Sequence, residues 1–210
     1  MATDLRIGME LPLDLTSGKI IAFKSTKFDL SGSIEHETHL ELYNQNNDIL
    51  LRIGIRRGYN KVFFNDRADK TLLDGWGSER SVDLNPMDVD TWRESGVTIS
   101  VHDCSTHSSE GYQILFNLTT VFNFDKRFLG PAVKVVYRQE LSDYAELWYN
   151  PQMSDPLKFF SYKLDDLPLE ERKAIESGRS VDICQWSFLS LIMLQSSLGY
   201  SFPKLPFDFS

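Results

Sequence analysis

From about Lys19 to Tyr137 the chain is a series of short aromatic and β-branched runs broken by Gly, Asn, Asp and Ser. That pattern predicts an antiparallel all-β domain, and helical periodicity is weak throughout the stretch. The runs place strands at Ile20–Lys24, Lys27–Leu30, His39–Tyr43, Ile49–Arg56, Lys61–Asn65, Arg80–Leu84, Gly96–His102, Tyr112–Leu118, Val121–Asp125 and Val133–Tyr137. Many short strands with turn signals between them favour two packed sheets. In His39-Leu40-Glu41-Leu42-Tyr43 the alternation of apolar and polar residues is that of a strand with one buried face. Asn44-Gln45-Asn46-Asn47-Asp48 and Arg57-Gly58-Tyr59-Asn60 each separate two such runs and read as hairpin connections.

The pattern changes after Arg138. Asp165–Ser177 opens with acidic residues and Pro168 and reads as a helix start, with carboxylates near the positive end of the dipole. Val181–Leu198 is apolar almost all round, which predicts a helix buried against something large. The tail Phe202–Phe209 alternates proline with bulky apolar residues and predicts an extended strap. Trp148-Tyr149-Asn150-Pro151 reads as core packing or a pocket cap. The organisation expected is therefore a sandwich over residues 1–138 and a partly helical extension, 139–210, packed on it.

A chain of 210 residues with 41% hydrophobic and 25% charged residues can bury a sizeable core without staples. Its net charge of −8 argues against a general affinity for nucleic acid. The one basic concentration, Arg52, Arg56, Arg57 and Lys61, is too short for a polyanion track. Cys104 and Cys184 form neither a disulfide framework nor a ligand series, and read as reduced thiols of an intracellular protein. No apolar stretch predicts membrane insertion, and the N-terminus lacks a signal-peptide core, so a soluble protein made in the cytoplasm is expected. Export without a signal peptide stays open.

The candidate chemistry centres on Asp74-Gly75-Trp76-Gly77-Ser78-Glu79-Arg80. Recognising a sugar without catalysis requires an apolar ring face to stack on the pyranose and planar polar groups to pair with hydroxyls. Trp76 supplies the first, with glycines on both sides that let the chain turn and leave the indole accessible. Glu79, Arg56, Asn65 and Arg80 supply the second, because a carboxylate held by arginines stays ionised and oriented. A structural role for Trp76 is the alternative.

Three segments, Ile49–Arg57, Lys61–Asn65 and Gly75–Arg80, resemble the galectin carbohydrate-recognition domain in order, spacing and strand context. Galectins carry a His-x-Asn-x-Arg strand, an Asn on the next strand and a Trp-Gly-x-Glu-x-Arg turn. Asn117–Arg127 and Leu129-Gly130-Pro131-Ala132 are similar to the closing strands of that fold, so the resemblance spans about 60% of the chain. It implies a galectin-like jelly roll of two antiparallel sheets and non-catalytic binding of a glycan or glycoconjugate, with no cofactor. It matches Trp76 to the stacking tryptophan, Glu79 to the bridging carboxylate, Asn65 to the strand asparagine and Arg56 to the strand arginine. Three positions depart: Arg52 replaces the histidine, Gly54 replaces the first asparagine, and Arg80 comes one residue early. With these departures the resemblance implies either an altered glycan, such as an acidic or N-acetylated one read through Arg52 and Arg56, or a fold kept for another ligand, the altered glycan ranking first.

Other signals weigh less. His102-x-Cys104-x-x-His107 fits no tetrahedral metal framework, and no third group makes Cys104 a nucleophile. His36 and His39 need not share a strand face. Asn117-Leu118-Thr119 is a glycosylation sequon read as unused. Two other readings remain: a small-molecule enzyme whose sandwich pocket is closed by the extension, and a homo-oligomer formed through the extension.

Overall fold

The computed structural model describes residues 2–32, 36–68, 75–106, 110–141 and 151–177. Among these, twelve strands form two antiparallel sheets. The strands are β1 (Thr3–Leu5), β2 (Glu10–Leu15), β3 (Lys19–Ser25), β4 (His36–Tyr43), β5 (Ile49–Arg56) and β6 (Lys61–Arg67), followed by β7 (Arg80–Asp83), β8 (Val97–Asp103), β9 (Gly111–Phe116), β10 (Thr119–Asp125), β11 (Ala132–Leu141) and β12 (Leu157–Lys163). One sheet runs β1-β12-β3-β8-β9-β10 and the other β2-β11-β4-β5-β6-β7.

Alternation decides which side chains enter the core. Leu40 and Leu42 of β4, Leu51, Ile53 and Ile55 of β5, and Val62 and Phe64 of β6 project from the second sheet. They meet Ile21 and Phe23 of β3, Ile99 and Val101 of β8, and Ile114 and Phe116 of β9. With Leu51, Ile53 and Ile55 turned inward, Arg52, Gly54 and Arg56 necessarily lie on the outer face of their sheet.

The all-β sandwich expected from the sequence is the fold observed, and eight of the ten sequence-predicted strands match closely. Lys27–Leu30 instead makes one isolated bridge, Phe28 with Met153. There the Asp29 carboxylate takes hydrogen bonds from the Ser31 amide (2.9 Å) and hydroxyl (2.6 Å), which turns the chain. Tyr112–Leu118 ends early, because Asn117 and Leu118 turn with φ of 49° and 67° into β10.

A helix that weak periodicity concealed, α1 (Pro86–Ser95), precedes β8. Its signals are local. Asn85 caps it through Oδ1 to the Met87 amide at 3.1 Å, and Pro86 sits in the first turn. Gly96 ends it at φ 74°, with its amide on Trp92 O at 2.9 Å. Only Val89 and Trp92 are buried, Trp92 packing against Phe28 and Phe116 with centroids 5.8 Å away in each case.

The sandwich draws strands from both sides of residue 138. β11 runs through it to Leu141, and β12 lies between β1 and β3, with Phe159 opposite Phe23. The predicted helix at Asp165–Ser177 becomes a 3-10 turn at Leu164–Asp166 followed by α2 (Leu169–Ser177). α2 packs Ile175 against Ile20 and Leu115 on the outer face of the first sheet. Gln113 Nε2 ties it down by donating to the open Ile175 carbonyl at 2.9 Å. Val181–Leu198, the tail Phe202–Phe209, Trp148–Asn150, His107 and Cys184 lie outside the described residues. No described helix is long and apolar enough to cross a membrane.

Candidate binding face

The outer face of β4, β5, β6 and β11 is polar, and strand register sets its rows. Across β4 and β5, Glu37 faces Arg56, His39 faces Gly54 and Glu41 faces Arg52. On the far side of β5, Asn65 faces Arg52 and Phe63 faces Gly54. β11 adds Arg138 opposite His39 and Glu140 opposite Glu37.

These rows join into one charge network. Glu37 bridges the two β5 arginines, taking a hydrogen bond from Arg52 Nη2 on Oε1 at 3.0 Å and from Arg56 Nε on Oε2 at 2.7 Å. Arg52 also donates to Glu140 Oε2 at 2.8 Å. Arg56 grips both oxygens of Glu79, with Nη1 to Oε1 at 2.9 Å, while its guanidinium carbon lies 3.9 Å from the centre of the Phe63 ring. Such a two-pronged pair fixes the plane of the carboxylate as well as its position. Glu41 accepts hydrogen bonds on Oε2 from the Tyr43 hydroxyl and from Arg138 Nε, the latter at 3.1 Å.

His39 is fully buried beneath this network. Burial first, and then Arg52, Arg138 and Arg56, push its pKa from 6.5 down to about 2, so the ring is neutral. Arg52 Nη2 lies 3.3 Å from its Nδ1. Arginine only donates, which places the imidazole proton on Nε2, 3.5 Å from Glu41 Oε1.

Trp76 is half-buried at the end of this face, bridged to Arg67 and packed against Tyr43, Ile49 and Val136. The guanidinium carbons of Arg52 and Arg67 each lie 5.1 Å from its ring. The neighbouring glycine has a different purpose from exposing the indole. A Cβ on Gly77 would lie 2.4 Å from Asp66 Oδ1, so glycine lets the turn close on that carboxylate. Burial raises the pKa of Asp66, while Arg127, 2.7 Å away through Nε, opposes the rise.

Of the six residues singled out in the sequence, Arg52, Arg56, Asn65, Trp76 and Glu79 meet on this face. Asn65 is partly committed to the backbone, its Oδ1 accepting the Asp66 amide at 2.9 Å. Arg80 does not join them. It pairs with Phe64, whose side chain is in the core, and lays its guanidinium over Phe124 at 5.0 Å. There it lines a separate open cleft of about 500 Å³ with Trp76, Ser78, Asp125 and Arg127.

Sequence reasoning missed Glu37, His39, Glu41, Arg138 and Glu140. The alternation of His39-x-Glu41 against Leu40 and Leu42 marked those two as sharing a face, but nothing local showed that the strands of the five residues flank β5 and β4. His102 Nδ1 pairs with Gln113 at 3.1 Å and Cys104 Sγ donates to Gly111 O at 3.4 Å, which occupies both in separate contacts. The sequon asparagine is also engaged, Asn117 Oδ1 accepting the Thr98 amide at 2.9 Å.

No protein-family model matches the sequence. A doubly substituted form of human galectin-16 superposes with a TM-score of 0.53 at 18% identity, covering 77% of this chain and 99% of that one. The fold is galectin-like. A singly substituted form of human galectin-16 agrees, with a TM-score of 0.53 at 17% identity and the same coverages. The galectin-like fold therefore takes in nearly the whole of the galectin-16 chain.

Proposed function

We propose that the chain is a non-catalytic glycan-binding module whose site is the polar face around Trp76, with a specificity altered from the galectin pattern. The observation that carries this reading is the pair of carboxylates held in place on this face, Glu37 by Arg52 and Arg56 and Glu79 by Arg56, with Arg52 lying over the half-buried Trp76. Ionised carboxylates with free lone pairs accept sugar hydroxyls, and an indole edge or face packs against pyranose C–H groups. The altered specificity rests on Arg52 and Gly54, which stand where the family pattern has histidine and asparagine. Among the described residues of the extension, α2 sits on the opposite sheet. The segment that the enzyme reading would use as a lid, Val181–Leu198, lies outside the described residues, and α2 lines neither this cleft at Trp76 nor a second one at the β2–β11 edge.

The test is calorimetric titration of neutral and acidic oligosaccharides against the native chain and Trp76→Ala. Binding of at least one class, weakened about tenfold or more in Trp76→Ala, is expected; tenfold corresponds to ~1.4 kcal/mol. Absence of binding to every class refutes the proposal.

A further inference from the structure

We propose that Glu37 is the specificity-determining residue of this face, and that it makes the site one for neutral, hydroxyl-rich sugars. This rests on the glycan-binding reading. Gly54 leaves a gap at the centre of β5, and the neighbouring strand fills it: a Cβ on residue 54 would lie 2.5 Å from Glu37 Oε1 and 3.3 Å from its Cδ. The central polar group is thus delivered by β4 across the strand pair, and any side chain on residue 54 would displace it.

The group delivered accepts hydrogen bonds and donates none. A carboxylate offers about four lone-pair directions. Glu37 uses two of them, on Arg52 and Arg56, which leaves acceptors for ligand hydroxyls. Its side chain is 14% exposed, enough to be reached and too little to swing away.

The same arrangement turns anions away. Glu37, Glu41, Glu79 and Glu140 all border the face, and each arginine of the network already has a carboxylate: Arg52 has Glu37 and Glu140, Arg56 has Glu37 and Glu79, and Arg138 has Glu41. An incoming carboxylate or sulfate would have to displace one of these and then face the others, and juxtaposed like charges are strongly unfavourable. Arg52 and Arg56 therefore serve to hold acceptors, and they do not read an acidic glycan.

The experiment titrates a neutral oligosaccharide and the same oligosaccharide bearing a terminal carboxylated sugar against the native chain, Glu37→Gln and Glu140→Gln. The native chain is expected to prefer the neutral form by about tenfold or more. Glu37→Gln, which keeps the shape but removes the charge and adds a donor, narrows that preference to about threefold or less. Glu140→Gln, a change in a 59% exposed rim carboxylate, leaves it within about twofold. A native preference for the acidic form, or an unchanged ratio in Glu37→Gln, overturns the role of Glu37 and leaves glycan binding standing. No binding of either form overturns the glycan reading itself. If Glu37→Gln fails to fold, Glu37→Ala combined with Gly54→Asn refills the gap from β5, and the same narrowing is expected of it.

Discussion

Replacing Gly54 by alanine places a methyl group where the Glu37 carboxylate lies, 2.5 Å from Oε1 and 3.3 Å from Cδ, while the one other residue near it, Phe63, keeps its Cβ at an ordinary 3.6 Å. The strain is relieved by moving the carboxylate, which weakens its hydrogen bonds to Arg52 and Arg56. Bonds to charged groups contribute about 1.5–3 kcal/mol when well shielded and nearer 0.2–1 kcal/mol when exposed. For this half-covered pair a loss of about 1–2 kcal/mol is reasonable. Against it stands a gain of about 0.5 kcal/mol from removing glycine from a strand interior. With Glu37→Ala already made, only that gain remains. The two substitutions should therefore couple by about 1–2 kcal/mol, well outside the ~0.5 kcal/mol within which independent sites add. Urea unfolding of the four chains, followed by far-ultraviolet circular dichroism, measures the cycle. With a slope of about 2 kcal/mol per molar, the coupling is a midpoint shift of about 0.5–1 M. Additive effects, or an alanine at 54 that stabilises the native chain, would show that the carboxylate does not depend on the missing side chain.

Three further outcomes follow from the geometry. Gly96→Ala should destabilise by more than about 3 kcal/mol, since φ is 74° and a Cβ there would sit 2.0 Å from the Ser25 carbonyl oxygen. A thermal melt within a few degrees of native would refute it. Leu118→Gly should stabilise by about 1 kcal/mol, because leucine at φ 67° bears a left-handed penalty that glycine lacks; the check is a melting temperature raised by about 2–4 °C. His39 supplies the pH dependence. Its pKa falls from 6.5 to about 2 on folding, so between those values the unfolded chain binds the extra proton and stability drops as pH falls below 6.5. At ~1.4 kcal/mol per pH unit the loss reaches about 2 kcal/mol by pH 5. His39→Gln should flatten the urea midpoint between pH 7 and 5, and an unchanged slope would exclude His39 as its source.

Much of the fold was legible because its signals are local. Period-two alternation in His39–Tyr43 and Leu51–Arg56 assigns each side chain to a face whatever the strand later pairs with. The same rule put Arg52 and Arg56 on one face, four residues apart on one strand, and the glycine-flanked Trp76 marked the turn. α1 was legible only at its ends, in Asn85, Pro86 and Gly96, since two buried residues make too thin a stripe to register as a helix.

The sequence by itself therefore determined the class of fold, the faces of the strands and the arginine, tryptophan and glutamate groups available. Strand pairing decided what those groups do. Glu37 and His39 reach β5 because β4 lies beside it, and Glu140 because β11 lies beside β4, contacts separated by up to 88 residues in the chain. Pairing of β7 with β6 set Arg80 opposite Phe64 and turned it from the face it was expected to serve. Gly54, read in one dimension, is a missing reader; in three dimensions it is the space that a carboxylate from the next strand fills. Alternation is a property of neighbours in sequence, whereas a binding face is built across hydrogen-bonded strands, and only the folded sheet specifies those partners.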